Sequence, residues 1–291
     1  MKIVSVSGGK GGTGKSFAAT NLAVALSRKK HVMLADLDVE GPSDHLLLGV
    51  ELKEEEPMRI VNPFTKYDSC IRCGACTNVC DTGAIILTRD KAPFVMARLC
   101  SGCKACIYVC PTNAILEGQR VIGYTYHTAI NESLELVSGV MREGEEHTPP
   151  AVKEAKKRAL RYVKDIMLVD TGAGTGSHIS MAIKDSKLLV AVTEQTPLGL
   201  HDLELILEVA KEQRIPTWVV INKYGIGESS LMADKITILA MKYGSMAVAR
   251  VPYDEEVIRS IVSKKPIAIL NPDHRISTFF YHLAEIILEV I

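Results

Sequence analysis

The segment Gly9-Lys10-Gly11-Gly12-Thr13-Gly14-Lys15-Ser16 constrains this chain more than any other stretch. It fits G-x-x-x-x-G-K-[ST] at every position. Before it, Lys2 to Ser7 is rich in β-branched residues and reads as a short buried strand. After it, Ser16 to Lys30 carries apolar residues at helical spacing, at Phe17, Leu22, Ala25 and Leu26. Strand, glycine-rich turn and helix is the context in which such a loop cradles phosphate. The glycines let backbone N–H groups wrap the phosphates, and the helix N-terminus adds positive potential. Lys15 should reach the β- and γ-phosphates of ATP, or the β-phosphate of ADP, and the Ser16 hydroxyl should ligate Mg²⁺. A glycine-rich turn with a chance Lys-Ser pair is the bland alternative, and the flanking strand and helix weigh against it.

The rest of the chain repeats that rhythm. His31 to Ala35 reads as a second strand ending in Asp36-Leu37-Asp38. Arg59 to Val61 reads as a further strand or as the lead into an insert. From Ala151 the spacing predicts a helix to Lys164, a strand at 165–170 and a strand at 187–193. It then predicts a helix at 201–213, a strand at 217–222, a helix at 229–243, a strand at 246–251 and a helix at 277–291. Strands alternating with helices of this length indicate βαβ units and a parallel sheet.

Between Asn62 and Gly118 the character changes. All eight cysteines lie there, within the 41 positions from Cys70 to Cys110. A disulfide-stapled secreted fold would spread its bridges through a short chain. Eight clustered cysteines, with no apolar leader at the N-terminus, read as metal ligands in a reducing and oxygen-poor cytoplasm. Cys70-x2-Cys73-x2-Cys76-x3-Cys80 is followed by Cys100-x2-Cys103-x2-Cys106-x3-Cys110. This is the bacterial ferredoxin run, twice. In two-cluster ferredoxins the fourth cysteine of each run ligates the other cluster. By that resemblance one [4Fe–4S] cluster uses Cys70, Cys73, Cys76 and Cys110, and the other uses Cys100, Cys103, Cys106 and Cys80. Zinc is the alternative, since C-x2-C pairs also bind it, but zinc pairs do not come as two identical four-cysteine runs. Gly74 and Gly102 suit close approach of backbone N–H groups to sulfur.

The lysine at position 10 adds a further constraint. Lys10-Gly-Gly-Thr-Gly-Lys15-Ser16 resembles the deviant phosphate loop of the MinD/ParA/Mrp-type ATPases, which include the nitrogenase iron protein. The resemblance implies that Lys10 crosses a dimer interface to the partner's nucleotide, so that MgATP is sandwiched in a homodimer or a related heterodimer. It implies that Asp38 orients the attacking water and that Asp36 sits close to Mg²⁺ or its waters. Asp170-Thr-Gly-Ala-Gly-Thr-Gly-Ser177 resembles the family's D-T-P-P-G-T-G segment, with Asp170 holding Mg²⁺ through water. Gly172 and Ala173 replace two prolines there, which should loosen the loop. Asn222-Lys223 resembles the adenine-reading position, and Val251-Pro252-Tyr253-Asp254 the second base-contacting loop. Without the resemblance, an Asp at a strand end is often only a cap for the next helix.

The resemblance implies an α/β fold with a mainly parallel P-loop sheet and helices on both faces. An α+β two-cluster ferredoxin domain would be inserted after the second strand. The expected division is 1–61, 62–118 and 119–291. Lys plus Arg equals Asp plus Glu, at 34 each, so the chain lacks the basic footprint of a nucleic-acid binder. The C-terminal segment TFFYHLAEIILEVI has no Lys or Arg, so it reads as a packed helix and not as a basic membrane anchor. Within 62–118, six basic and four acidic residues leave +2, which points to a docked protein partner. No cysteine lies outside the insert, so a cluster bridged by cysteines of the ATPase body is excluded. Three functions follow: ATP-gated electron transfer to a partner metalloprotein, iron–sulfur or metal-cofactor assembly, or spatial organisation of the MinD type.

Overall fold

A computed structural model describes residues 1–226 and 230–291. In chain order the elements begin with β1 (Lys2–Ser7), α1 (Lys15–Ser27), β2 (Val32–Leu37), α2 (Asp44–Leu48) and β3 (Glu56–Val61). The cysteine-rich stretch contributes β4 (Phe64–Thr65), α3 (Ala75–Asn78), β5 (Ile85–Leu87), β6 (Pro93–Val95), α4 (Ala105–Tyr108) and β7 (Ile115–Leu116). The chain then runs through β8 (Gln119–Asn131), β9 (Leu134–Met141), α5 (Thr148–Ala159), β10 (Ile166–Thr171), α6 (Ser177–Ile183) and β11 (Leu188–Glu194). It ends with α7 (Pro197–Glu212), β12 (Thr217–Tyr224), α8 (Ser230–Lys242), β13 (Met246–Pro252), α9 (Glu255–Val262), α10 (Ile267–Leu270) and α11 (Arg275–Val290).

Nine strands form one sheet in the order β13-β12-β11-β1-β10-β2-β9-β8-β3. Pairing is parallel from β13 through β9 and antiparallel for the last two strands. Alternation along the central strands makes the sheet two-faced. Val4 and Val6 pack with Leu34 and Leu168 against α1 and α11. Ile3 packs on the other face with Met33, Met167 and α5. Further along that face, Leu189 and Val219 meet α6, α7 and α8. Each fully buried aliphatic side chain contributes about 1.5–3 kcal/mol, which is why the central strands are apolar on both faces.

One expectation is corrected. The cysteine-rich segment follows a third strand, not the second: β3 leads into it and β8 leads out, paired antiparallel from Glu56↔Thr125 to Val61↔Gln119. Residues 119–141, for which the sequence predicts no element, are the hairpin β8–β9, which extends the sheet beyond β2. Hydrogen bonds pin this hairpin to α5: the buried Arg158 guanidinium donates to the Thr125 carbonyl at 2.6 Å and hydroxyl at 2.9 Å. The helix expected from Ser229 begins at Ser230, and position 229 lies outside the described residues. Helix α7 begins four residues earlier than expected because Thr196 caps it, accepting from the Gly199 N–H at 2.9 Å.

Residues 62–118 build two two-stranded antiparallel sheets, β4–β7 and β5–β6. Their small core joins Cys76, Ile85, Cys106 and Ile115. The two halves repeat each other. Each has a 3₁₀ turn before its first cysteine, at 67–69 and 97–99, and a four-residue helix around its third. Left-handed backbone recurs at matched positions: Arg72 and Gly102, Gly74 and Lys104, Gly83 and Asn113. Both members of Gly74/Lys104 are left-handed, so the conformation belongs to the repeat and not to glycine alone. Gly102 has a second reason, since a Cβ there would lie 3.1 Å from the Val61 carbonyl oxygen. That contact seats the second cysteine run against the last residue of β3.

Candidate functional site

The turn between β1 and α1 lies at the carboxyl end of the parallel strands. Gly12 and Gly14 take positive φ, 82° and 93°. At Gly11 and Gly12 a Cβ would meet nothing within 4 Å, so the cradle is open there. At Gly14 a Cβ would fall 2.1 Å from the Asn222 amide nitrogen. That amide donates to the Thr13 carbonyl at 2.8 Å, and Lys223 donates to the Gly12 carbonyl at 2.6 Å. The end of β12 therefore braces the phosphate loop from behind. Lys15 is buried and donates to the Lys10 carbonyl at 3.1 Å.

A cavity of about 450 Å³ opens beside this turn. Gly11, Gly12, Gly14, Lys15, Ser16 and Asp38 line its phosphate end, and Asn222, Lys223, Pro252 and Tyr253 line the other. The sequence assigns these residues to the phosphates and the base, apart from Asp38, which it assigns to the attacking water. The cavity also takes Phe17, Leu47, Val257, Ile258 and Ile261, which the sequence reading missed. The signal for α9 was present: Asp254 caps an amphipathic E-E-V-I-R-S-I-V run, accepting from the Glu256 N–H at 3.0 Å. Gly9 and Thr13 lie outside the cavity lining, Thr13 buried beneath the loop.

Lys10 does not face the cavity. Its ammonium is ion-paired with Glu194 at the end of β11, and Lys223 reaches the same carboxylate at 3.5 Å. Burial works to raise the Glu194 carboxyl, but Lys10 and Lys223 outweigh it and hold the group below the usual range.

The acidic loops converge on the phosphate end. Asp36 is fully buried and accepts from the N–H groups of Asp38 (3.2 Å), Ser43 (3.0 Å) and Asp44 (3.1 Å). It folds the 38–44 turn around itself. Asp38 faces the 170–177 loop, with its carboxylate oxygen 3.3 Å from where a Gly172 Cβ would sit. Gly172 thus gives Asp38 room at a position where the resembled family has proline. The same loop is tied to the phosphate turn, the Gly174 N–H donating to the Gly9 carbonyl at 3.0 Å. Burial pushes the Asp38 carboxyl up, against the pull of Lys15. Burial pushes Asp170 up to about 7, opposed by the Ser16 hydroxyl and Lys15. Asp44, which the sequence reading passed over, lies within the same group: oxygens of Asp36, Asp44 and Asp170 all fall within 4.8 Å of one another.

The cysteines form two groups. One small cavity is lined by Cys70, Cys73, Cys76 and, from the other run, Cys110. Around Cys106, burial and the neighbouring thiols of Cys100, Cys103 and Cys80 push its thiol up to about 11. Each run therefore keeps three cysteines together and lends its fourth across the repeat. The two lent thiols have matching environments. Although burial works against it, Cys80 is held below the usual thiol range by the Thr82 hydroxyl and the N–H groups of Ile85, Ala84 and Thr82. Cys110 is held down by the N–H groups of Ile115, Thr112 and Ala114, again against burial. Four convergent cysteines, the lent one with N–H donors aimed at its sulfur, fit a [4Fe–4S] cluster. His127 and His178 take structural places: His127 bonds Glu54 at 2.8 Å and Glu135 at 2.6 Å, and His178 bonds the Ala173 carbonyl at 3.1 Å.

Among the described residues, no helix is long and apolar enough to cross a membrane. Residues 4–267 match the model of the family described as CobQ/CobB/MinD/ParA nucleotide binding domain. An uncharacterized protein of Methanocaldococcus jannaschii is 33% identical over 265 residues, 89% of this chain and 88% of the relative. An iron-sulfur cluster carrier protein of Aquifex aeolicus is 25% identical over 99% of this chain and 68% of the relative. Among solved structures, the septum site-determining protein MinD complexed with Mg-ADP from Pyrococcus horikoshii superposes with a TM-score of 0.61. It is 20% identical, with 98% of this chain and 95% of that chain covered.

Proposed function

Starting from its membership of the CobQ/CobB/MinD/ParA nucleotide-binding family, as a P-loop ATPase of the MinD/ParA/Mrp type, we propose that this chain couples ATP-driven dimer closure to electron transfer through two [4Fe–4S] clusters toward a partner metalloprotein. The observation that carries this reading is the exchange of the fourth cysteine between two complete sets. Ligation of all four corners by one chain favours a resident cluster, since transferable ones usually sit in a bridging, exposed site. When bound, such clusters supply one-electron chemistry at low potential.

The ATP half works by position and charge. The glycine turn wraps the phosphates with N–H groups, and Lys15 turns from the Lys10 carbonyl to the β- and γ-phosphates. The Ser16 hydroxyl and, through water, Asp170 would hold Mg²⁺, which when bound would offset charge on the transferring group. Asp38, given room by Gly172 and lining the phosphate end of the cavity, orients the attacking water. Asn222, already committed by its N–H to Thr13, presents its remaining oxygen to a purine amino group, with Pro252 and Tyr253 flanking the base. Lys10 leaves Glu194 and reaches the nucleotide of the partner subunit in a homodimer.

A second reading, iron–sulfur cluster assembly or transfer, is favoured by the name of the Aquifex relative. One experiment separates the two. Both clusters are titrated by anaerobic EPR with and without a non-hydrolysable MgATP analogue. A shift of 59 mV is tenfold, about 1.4 kcal/mol, for a one-electron centre. A shift of that size supports gated electron transfer. Unchanged potentials, together with ATP-dependent loss of iron to an apo-ferredoxin acceptor, favour the carrier reading.

A further inference from the structure

Asp44 opens α2, at the end of the turn that Asp36 organises. It is fully buried, and neither of its carboxylate oxygens has a hydrogen-bond partner among the described residues. Asp170, with an oxygen within 4.8 Å of one of Asp44, is equally buried and likewise accepts no hydrogen bond of normal geometry at either oxygen, with the Ser16 hydroxyl and Asp44 beside it. Asp36 differs, because three backbone N–H groups bond its carboxylate. A buried carboxylate without donors is costly, and two side by side are costlier. The usual resolutions are a shared proton or a cation.

Three converging carboxylates suit a cation. An ion of Mg²⁺ type bonds oxygen at ~2.1 Å, so opposed ligands stand ~4.2 Å apart. The oxygens here lie within 4.8 Å of one another, and a few tenths of an ångström of side-chain movement closes the set. All the donors are hard oxygens, which select Mg²⁺ or Mn²⁺ over softer metals. We propose that Asp44 and Asp170 directly ligate one divalent cation beside Asp36 before any nucleotide binds, so that this chain meets ATP already metal-loaded. The inference rests on the reading of Asp170 as the metal-side carboxylate. It makes Asp170 a direct ligand in the nucleotide-free chain, with water coming between them only once ATP takes up the ion, and it adds Asp44 as a second direct ligand and an order of binding. The Asp36-bonded turn is what aims Asp44: its N–H anchors to Asp36 while its side chain points at Asp170.

The test uses the full chain with its clusters, kept anaerobic, freed of nucleotide and divalent ions. Mn²⁺ is titrated in, and the loss of the free-ion EPR signal is followed for the native chain and for Asp44→Asn. Thermal unfolding is recorded in chelator and in Mn²⁺. The native chain should take up one Mn²⁺ without nucleotide, and Asp44→Asn should weaken that at least tenfold. Because Asp44 has no hydrogen bonds to lose, Asp44→Asn should melt higher than the native chain in chelator. Mn²⁺ should raise the melting temperature of the native chain and leave that of the variant nearly unchanged. Uptake of Mn²⁺ only together with ATP would overturn the proposal and leave the ATP-site reading standing. Equal uptake by Asp44→Asn would also overturn it. No uptake under either condition would overturn both.

Discussion

Lys10 and Glu194 of the same chain form an ion pair across the mouth of the phosphate loop. The pair is partly shielded, with side chains 26% and 15% exposed. For Lys10 to cross to a partner's nucleotide, this contact must break. Glu194 thereby holds the lysine back in the monomer, and Lys223 shares the carboxylate. Removing the charge should favour the dimer. A partly buried pair contributes about 1 kcal/mol, and closure breaks one in each subunit. Glu194→Gln is therefore expected to tighten ATP-dependent dimerisation about thirtyfold, the ~2 kcal/mol of two such pairs, while Lys10→Ala abolishes it. Light scattering across a dilution series, with a non-hydrolysable analogue, measures both. A Glu194→Gln chain that dimerises no better would show that the pair is no restraint.

Asn222 has two duties that one substitution separates. Its N–H braces Thr13, and its oxygen is free to face the base. Asn222→Ala should lose both, weakening ATP binding by about tenfold, the ~1.4 kcal/mol of one or two neutral hydrogen bonds. It should also flatten the preference for ATP over GTP. Isothermal titration with each nucleotide tests this. An affinity loss with unchanged preference would assign Asn222 to bracing alone.

Lys156 on α5 is nearly buried and donates to the carbonyls of Met181, Ala182 and Lys184 at 3.3, 2.8 and 2.6 Å. It closes the C-terminal end of α6, the helix that follows the Asp170 loop. Burial pulls its ammonium down to about 8, with Asp185 opposing. The unfolded chain keeps its proton to about 10.5. Between those values the unfolded state binds more protons, so this residue's contribution to stability rises with pH. Lys156→Met removes the three bonds and the titration. It should cost about 1–3 kcal/mol at pH 7.5 and abolish the rise toward pH 10. Urea denaturation at several pH values shows whether that slope disappears with the side chain.

How far the sequence reached depended on whether a feature was local. The phosphate loop and its flanking β1 and α1 were legible because motif, strand and helix are contiguous. The buried parallel strands β10, β11 and β12 stood out as short apolar runs. The hairpin β8–β9 did not, because its inward and outward residues alternate with Tyr, Thr and His, and its partner β3 is separated from it by the whole cysteine-rich segment. Asp44 was hidden for a similar reason. It looks like a helix-capping residue after Pro42, and only the fold of the turn around Asp36 brings it to Asp170. The parking of Lys10 on Glu194 was also invisible, since β11 and the phosphate loop meet only in the sheet.

The cysteine groups make a prediction that single substitutions cannot test, since any one loss removes one cluster under either pairing. Pairs of substitutions can. With fourth cysteines exchanged, Cys73 and Cys110 serve the same cluster, so Cys73→Ser/Cys110→Ser should keep about half the iron and one EPR-active centre. Cys73→Ser/Cys80→Ser strikes both clusters and should lose nearly all of it. If each run instead served its own cluster, the two results would be reversed. The positions support the first outcome: Cys110 lines the cavity of the first run, whereas Cys80 lies by Cys106. The surviving cluster in Cys73→Ser/Cys110→Ser is the one whose run packs on β3, where Gly102 approaches the Val61 carbonyl. Iron analysis beside low-temperature EPR of both double variants decides the pairing, and the potential of the survivor belongs to the cluster nearer the ATPase sheet.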